Sequence, residues 1–278
     1  MAELSKLDES AALEKQRRLL DGLRRLDSLL VAFSGGADSA YLSWAAHTAL
    51  AERALAVTAL SPSFSAHDRE QAESFVRHVG LRHEFIETHE VEDPLYAANN
   101  PDRCYHCKDE LFTELDNLAA ARQCAAVAYG VNADDTRDFR PGHRAAAEHR
   151  VLSPLLEAEL YKFEIRELSR RLGLPTWDRP ASACLASRIP YGTPVTPQNL
   201  RTVERGEALL RELGFRQFRV RYHQELARIE IAADELPRAL HPEMARLLAE
   251  RFKQIGFTYV TLDLEGYRQG SLNAALKK

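Results

Sequence analysis

Apolar residues recur along the chain at two spacings, and these alternate. Leu19, Leu20, Leu23 and Leu26 follow helical spacing and predict an amphipathic helix over residues 9–26, and the apolar run SLLVAFS after it predicts a buried strand. The next segments alternate in the same way: helix DSAYLSWAAHTALAE, strand ALAVTAL, helix AHDREQAESFVRHVG, strand HEFIET, a helix over 106–122 and strand CAAVAYG. Such alternation is typical of an α/β fold with a parallel sheet and helices on both faces.

A long polar segment interrupts this pattern. The stretch VNADDTRDFRPGHR contains Pro141 and Gly142 and predicts a functional loop rather than a short connector. Residues 159–173 return to helical spacing, and LPTWDRPASACLASRIPYGTPVTP follows with five prolines and little periodicity. We place a domain boundary at the end of this stretch, which gives domains 1–196 and 197–278.

The C-terminal part has the pattern of a smaller α+β domain. Its predicted order is a helix from about 197 to 213, strands RQFRVRYH and LARIEIA, a helix from about 236 to 254 and strand FTYVTLDL. Along its first strand, Phe218, Val220 and Tyr222 share one face, and Arg219, Arg221 and His223 share the other. We expect the first face in the core and the second to be cationic.

Composition narrows the class of protein. The 278 residues are 45% hydrophobic, enough to fill a core, and the net charge of −4 disfavours nucleic acid as a substrate. The charged N-terminus lacks the apolar stretch of a signal peptide, and no run reaches the roughly 18 apolar residues of a membrane span. We therefore expect a cytoplasmic protein, where a close cysteine pair binds metal or is redox-active more often than it forms a structural disulfide.

The stretch VAFSGGADSAYL is the first candidate for chemistry, because it joins a predicted strand to a predicted helix. Its two glycines allow a sharp turn, and the following helix start suits a phosphate. Two glycines alone would favour an ordinary turn with Asp38 or Ser39 as helix N-cap. The full string SGGxDS, however, is similar to the PP-loop of the ATP pyrophosphatases, which cleave ATP between the α and β phosphates. No GxxxxGK[ST] motif occurs, so γ-phosphoryl transfer is not implied.

Several separated stretches extend the resemblance. The segments NPDRCYHCK, GVNADDTRDFRPG, LSPL, RPASACLASRIPYGT and YVTLDLEGYRQGSLN together resemble the LarE family of ATP-dependent sulfur transferases, from about residue 15 to the C-terminus. The resemblance implies that ATP and Mg²⁺ adenylate the carboxylates of pyridinium-3,5-biscarboxylic acid mononucleotide, which sulfur then converts to thiocarboxylates. The product would serve the nickel-pincer cofactor of lactate racemase.

The resemblance also assigns candidate site residues. Those expected to hold the pyrophosphate end of ATP are Ser34, Gly35, Gly36, Asp38 and Ser39. Those expected to assist with Mg²⁺ or phosphates, or else to be solvated loop residues, are Asn132, Asp134, Asp135 and Arg140. Arg188 is a bidentate donor for phosphate or carboxylate, with a structural ion pair as the alternative. Glu207, Arg219 and Arg221 match positions that line the acceptor site, with a solvated charged strand face as the alternative for the two arginines.

The number and positions of the cysteines indicate which sulfur source the LarE resemblance implies. In one branch of the family, a single cysteine donates its own sulfur; its position corresponds to Ala183 here. In the other branch, three cysteines hold a [4Fe-4S] cluster. This chain has Cys104, Cys107 and Cys184 at the three positions, which favours the cluster, with an open iron that carries sulfide. Zinc with His106, a redox or persulfide relay, and sacrifice of Cys184 remain alternatives. We interpret the fourth cysteine, Cys124, as a buried strand residue.

Three alternative functions make different demands on the chain. A tRNA 2-thiolation enzyme would need a basic RNA-binding surface, and an ammonia-using synthetase would leave the three cysteines unexplained. A non-catalytic nucleotide-binding sensor of iron or redox state would bind ATP without turnover. The resemblance further implies a homo-oligomer, with a hexamer among the candidate assemblies. Sulfide or a sulfur donor protein would supply the sulfur.

Overall fold

The computed structural model describes residues 8–137, 141–180 and 183–268. Its helices are α1 Glu9–Arg24, α2 Ala37–Leu50, α3 Ala66–Val79, α4 Pro94–Ala97, α5 Arg103–Arg122, α6 Gly142–Glu148, α7 Pro154–Glu157, α8 Lys162–Arg171, α9 Pro197–Glu212, α10 Leu236–Leu240 and α11 Pro242–Ile255. Its strands are β1 Leu29–Ala32, β2 Ala54–Leu60, β3 His83–Glu87, β4 Ala126–Tyr129, β5 Phe218–His223, β6 Leu226–Ile231 and β7 Tyr259–Leu262.

The chain divides into two compact units. The first comprises Met1–Glu90 with Asp102–Ser182, and the second comprises Val91–Pro101 with Ala183–Lys278. The short segment before α5 therefore belongs with the C-terminal part of the chain. A domain boundary after residue 196 stays a prediction.

The first unit is built on a four-stranded sheet with strand order β3-β2-β1-β4. Every pairing is parallel, and Leu30 of β1 lies opposite Leu55 of β2 and Val127 of β4. This confirms the predicted parallel α/β fold. The strands are short runs of buried apolar residues because helices cover both faces of such a sheet.

Alternate residues of β1 enter different cores. Leu29 and Val31 pack into a cluster with residues of α1, α2, α3 and α8, whereas Leu30 packs into a second cluster with residues of α5 and α6. The period of two along a strand thus divides the helices between the two sheet faces. Strands β1 and β4 are neighbours in the sheet, and a loop follows the carboxyl end of each.

Local signals explain where several helices begin and end. The Ser65 side chain accepts a hydrogen bond from the Asp68 N–H at 3.1 Å and caps α3, which ends at Gly80 with φ of +73°. Two predictions were wrong. Helix α6 occupies part of the stretch interpreted as loop, and the predicted helix over 236–254 is two helices, because His241 precedes Pro242 and takes an extended conformation.

The second unit contains a three-stranded sheet with order β5-β6-β7, in which β5 and β6 are antiparallel and β6 and β7 parallel. Phe218 and Val220 of β5 are buried in its core, as expected. The opposite face is cationic but is not a uniformly solvated surface, because Arg221 is only 5% exposed. Among the described residues, no helix has the length and apolar character needed to cross a membrane.

Candidate active site

Two loops of the first unit meet at the carboxyl ends of β1 and β4. Gly130 follows β4 and lies so close to the start of α2 that a Cβ atom there would be 2.7 Å from the Ser39 backbone nitrogen and 2.9 Å from its Cα. Both neighbouring atoms are backbone and cannot turn away. Glycine at 130 therefore permits the contact between the loop after β4 and the loop after β1.

The loop after β1 carries the SGGxDS string and is closed by hydrogen bonds of its own serines. The Ser39 hydroxyl donates to the Gly36 carbonyl at 3.1 Å and accepts from the Ser34 N–H at 3.2 Å, while the two serine hydroxyls lie 3.1 Å apart. Gly35 has φ of +73°, which favours glycine. The loop leads directly into the N-terminus of α2, whose first N–H groups and positive dipole end suit a phosphate.

Asp38, on the first turn of α2, forms an ion pair with Lys162 at the start of α8. The Lys162 Nζ lies 2.5 Å from the Asp38 Oδ2, and the aspartate is largely buried. Burial raises the pKa of the Asp38 carboxyl above its ordinary value, while Lys162 and the Asn132 side chain partly offset that rise. The pair places one carboxylate and one ammonium directly beside the phosphate-type loop.

The loop after β4 is held by its own acidic and amide side chains. The Asp134 N–H donates to the Asn132 Oδ1 at 2.8 Å, and the Asn132 N–H donates to the Asp135 Oδ2 at 3.1 Å. Asn132 and Asp135 are buried, whereas Asp134 is exposed and accepts a hydrogen bond from the Lys162 N–H at 2.8 Å. Arg140, predicted for the same loop, lies outside the described residues.

Two cationic residues at this loop pair were not predicted. One is Lys162, and the other is Arg179, whose Nη1 donates to the Gly35 carbonyl at 2.5 Å and whose Nη2 donates to Gln71. Burial lowers the pKa of Arg179. Arg166 of α8 fixes the segment that carries Arg179, because it donates to the Trp177 and Arg179 carbonyls at 2.9 and 2.5 Å.

In the second unit, Arg188 and Glu207 form a buried bidentate ion pair. The Nε–Oε1 and Nη2–Oε2 distances are 2.9 and 3.0 Å, and the two residues are 3% and 2% exposed. Burial alone would raise the pKa of the Glu207 carboxyl, but Arg188 and Arg219 together hold it below its ordinary value. The structural ion pair considered for Arg188 is therefore present.

The two arginines of β5, Arg219 and Arg221, also contact residues of the second unit. Arg221 forms a buried pair with Glu230, with 2.8 Å between Nη2 and Oε2, and its Nη1 donates to the Ser187 carbonyl at 3.0 Å. The guanidinium of Arg219 lies 5.1 Å from the centre of the Tyr267 ring, and burial lowers its pKa. A solvated strand face describes neither arginine.

None of the four cysteines forms a disulfide. Cys104 and Cys107 lie on the first turns of α5 in the first unit, Cys104 exposed and Cys107 half-buried, while Cys184 is exposed and begins a 3₁₀ turn over Leu185–Arg188 in the second unit. The interpretation of Cys124 as a buried strand residue is wrong. Cys124 is half-buried and precedes β4, and burial raises the pKa of its thiol.

The relatives of the chain settle its family. It is 44% identical to an uncharacterised protein of Synechocystis sp. over 93% of this chain and 98% of that one. It is also 35% identical to the pyridinium-3,5-bisthiocarboxylic acid mononucleotide synthase of Lactiplantibacillus plantarum, over 95% of each chain. The chain belongs to the LarE family. An uncharacterised protein of Methanocaldococcus jannaschii is 29% identical over 86% of this chain and 90% of its own, and no protein-family model matches.

Membership in the LarE family raises the question of whether the cysteines fit an iron–sulfur cluster. The donor types fit, since thiolates are the usual ligands of such clusters, and Cys104 and Cys107 are three residues apart on one helix. Within residues 8–137, 141–180 and 183–268, no group of three or more His, Cys, Asp or Glu side chains is arranged to hold a metal ion. The cluster therefore stays a prediction from the LarE resemblance.

Proposed function

We propose that the protein is an ATP-dependent sulfurtransferase that converts the two carboxylates of pyridinium-3,5-biscarboxylic acid mononucleotide into thiocarboxylates. The observation that carries the proposal is the 35% identity, over 95% of both chains, to a protein named as the synthase of the bisthiocarboxylic acid mononucleotide. We propose further that the product supplies the nickel-pincer cofactor of lactate racemase. The small-molecule substrate agrees with the acidic net charge of −4, which disfavours nucleic acid.

ATP binding is proposed for the loop after β1 and its neighbours. Ser34, Gly35, Gly36 and Ser39 would face the pyrophosphate, with the N-terminus of α2 contributing its dipole. Asp38 and Asp134 offer the hard oxygen ligands that Mg²⁺ prefers. Lys162, which neutralises Asp38 at 2.5 Å, would turn to a phosphate oxygen once a metal ion takes over the carboxylate.

The chemistry proceeds in two balanced steps. A substrate carboxylate oxygen attacks the α-phosphorus of ATP, the bond from that phosphorus to the β-phosphate oxygen breaks, and pyrophosphate leaves with an acyl adenylate formed. Sulfide then attacks the acyl carbon and AMP leaves with the original carboxylate oxygen, which gives the thiocarboxylate. Adenylation is needed because a carboxylate is a poor electrophile until its oxygen becomes a good leaving group.

We also propose that Cys104, Cys107 and Cys184 bind a [4Fe-4S] cluster, which when bound would supply sulfide on an open iron. Anaerobic reconstitution followed by visible absorption and EPR spectroscopy tests this proposal. Cys104→Ser should lose most of the iron–sulfur signal, whereas Cys124→Ser, a matched change at the fourth cysteine, should retain it. A full signal in Cys104→Ser, or none in the wild type, would overturn the assignment. Those results would leave a persulfide or sacrificial role for Cys184.

The assay for the proposed function is an anaerobic incubation of the protein with ATP, Mg²⁺, sulfide and the biscarboxylate mononucleotide. Product mass should show oxygen replaced by sulfur, with AMP and pyrophosphate released. Asp38→Asn removes the carboxylate next to the phosphate loop and should abolish both products. Retention on tRNA at moderate salt would favour tRNA thiolation instead, and ATP binding without pyrophosphate release would favour a sensor.

We place the enzyme in the cytoplasm as a homo-oligomer, with sulfide or a sulfur donor protein as its sulfur source. The assembly and the sulfur source rest on the LarE resemblance. Light scattering of the purified full chain tests the assembly. A mass equal to one 31.4 kDa chain at micromolar concentration would contradict it.

A further inference from the structure

The Cys184 turn, Ala183–Arg188, is held from inside the second unit by buried guanidinium groups. The Arg188 Nη1 donates to the Ala183 carbonyl at 2.5 Å and to the Cys184 carbonyl at 3.1 Å. The Arg221 Nη1 donates to the Ser187 carbonyl at 3.0 Å. Three carbonyls of one short turn therefore accept hydrogen bonds from cationic side chains, which are stronger than bonds from neutral donors.

Each of these arginines is fixed in turn by a buried carboxylate. Glu207 of α9 takes the Nε and Nη2 of Arg188, and Glu230 of β6 takes the Nη2 of Arg221. Glu207 and Glu230 are 2% and 0% exposed. Glu207 is itself anchored, since its Oε1 accepts the Val220 N–H at 3.2 Å. The guanidinium planes therefore have little freedom to turn.

The cysteine itself faces the other way. Cys184 is exposed, although the carbonyls of the turn are bound to buried groups. An exposed side chain on such a short turn would normally sample many positions. The arginines restrict the backbone of Cys184, so the exposed thiol is attached to a backbone of fixed position.

We propose that Arg188 and Glu207, supported by Arg221 and Glu230, are positioning residues that hold the backbone of Cys184 for sulfur transfer. Arg188 acts through the carbonyls of Ala183 and Cys184, and Glu207 acts through Arg188. The role of Cys184 in this inference rests on the proposed function. Arg188 and Glu207, which the LarE resemblance places in contact with phosphate or substrate, act here on the backbone of Cys184 instead. Its structural part stands without any assay of sulfur transfer.

The test compares local and global stability by hydrogen exchange of the full chain. The reporters are the Ser187 N–H, which donates to the Cys184 carbonyl at 2.9 Å, and the Ile189 N–H, which donates to the Ala186 carbonyl at 3.1 Å. In Glu207→Gln, the peptide that covers residues 183–189 should exchange about tenfold faster or more. Peptides from β6 and β7, which do not contain the Val220 N–H bound to Glu207, should keep wild-type exchange, whereas a merely structural role would accelerate them in parallel.

Two further variants make the test decisive. Replacing both members of the pair, Arg188→Met with Glu207→Gln, leaves neither as an unpaired buried charge and keeps a side-chain oxygen that can accept from the Val220 N–H. This double variant should melt near the wild type and still show fast exchange at residues 183–189. The matched control is Arg211→Gln, because the Arg211 Nη2 lies 3.9 Å from Glu207 at the edge of the pair. It should leave exchange of the turn unchanged.

Activity provides the second measurement. In both Glu207→Gln and the double variant, kcat for sulfur transfer should fall at least about tenfold with the KM for ATP unchanged. Folded variants that lose activity but keep slow exchange at residues 183–189 would overturn the proposal and return Arg188 and Glu207 to direct substrate contact. Wild-type protein without sulfur transfer would contradict the proposed function alone, since the exchange result would still stand.

Discussion

Lys162 and Arg179 show how single side chains from distant positions in the chain contact the loop after β1. Lys162 lies 124 residues after its partner Asp38, and Arg179 lies 144 residues after Gly35. Both cations reach the loop after β1, and both can offer donors to phosphate oxygens. In the proposed ATP site, the SGGxDS string would thus supply the backbone contacts, and distant residues would supply the charge.

Gly130 gives the first prediction at the scale of the residue. Gly130→Ala would place a Cβ 2.7 Å from the Ser39 backbone nitrogen, so one of the two loops must shift. We expect a loss of about 1–3 kcal/mol in the free energy of unfolding and weaker ATP binding, measured by denaturation and calorimetry. Gly22→Ala is the matched control, because outside the neighbouring backbone of α1 no atom lies within 4 Å of its added Cβ. Equal effects of the two changes would contradict the role of Gly130.

Asn99 gives the second residue-scale prediction. Its side chain is fully buried, and its Nδ2 donates to the Pro190 and Thr193 carbonyls, each at 2.8 Å. Asn99 also has φ of +57°, which glycine tolerates. Asn99→Gly should therefore cost about 1–3 kcal/mol of unfolding free energy through lost hydrogen bonds alone.

Asn99→Asp should cost more than Asn99→Gly, because it turns a carboxylate toward the same carbonyls inside the protein. Asn99→Ala should fall between them, since it adds about 1 kcal/mol of strain at positive φ. Urea unfolding of the three variants measures the order. An Asp variant as stable as the Gly variant would show that the amide does not donate to these carbonyls.

At the scale of the element, helix α6 is fastened to α5 by polar contacts at its C-terminal end. His149 follows α6 and contacts Asp116 through Nδ1 at 2.7 Å and Asp109 through Nε2 at 3.2 Å. Burial opposes the charged imidazole, but hydrogen bonds and charge attraction from Asp116 and Asp109 outweigh it and raise the pKa of His149 above its ordinary value. Helix α5 also carries Cys104 and Cys107, so this contact braces the helix of the cysteine pair.

The raised pKa of His149 predicts a pH dependence. A histidine with a higher pKa in the folded state stabilises fully below its unfolded pKa, and this contribution is lost as pH rises through the folded pKa. Melting temperatures from about pH 5.5 to 9 should therefore show wild type more stable than His149→Gln at the acid end, with the difference shrinking as pH rises. His78→Gln, at an exposed histidine that contacts the Gly173 carbonyl, is the control. A constant difference would contradict this account.

The elements also show what could be predicted from the sequence. Strands β1, β2 and β4 are apolar runs between helices, so their place in a parallel sheet follows from pattern alone. Helix α6 did not follow, because Pro141 and Gly142 mark a turn and only Ala145 and Ala146 are buried in its helical stretch. The ion pairs of Lys162 and Arg188 depend on tertiary placement, which no local pattern contains.

At the scale of the whole molecule, the proposed function assigns different tasks to the two units. The first unit presents the loops after β1 and β4 with Asp38 and Lys162, and the second presents Cys184 on a turn held by Arg188 and Glu207. The proposed reaction needs both tasks, because adenylation creates the leaving group that sulfur displaces. The number of carboxylates adenylated must therefore equal the number of sulfur atoms transferred.

Transfer of labelled oxygen tests this coupling most directly. The biscarboxylate mononucleotide, labelled with ¹⁸O in its carboxylates, is incubated anaerobically with the protein, ATP, Mg²⁺ and sulfide, and AMP and product are analysed by mass spectrometry. The account predicts one ¹⁸O atom in AMP for each sulfur atom gained by the product, and none in pyrophosphate. Sulfur in the product with unlabelled AMP would contradict activation of the substrate carboxylate by adenylation.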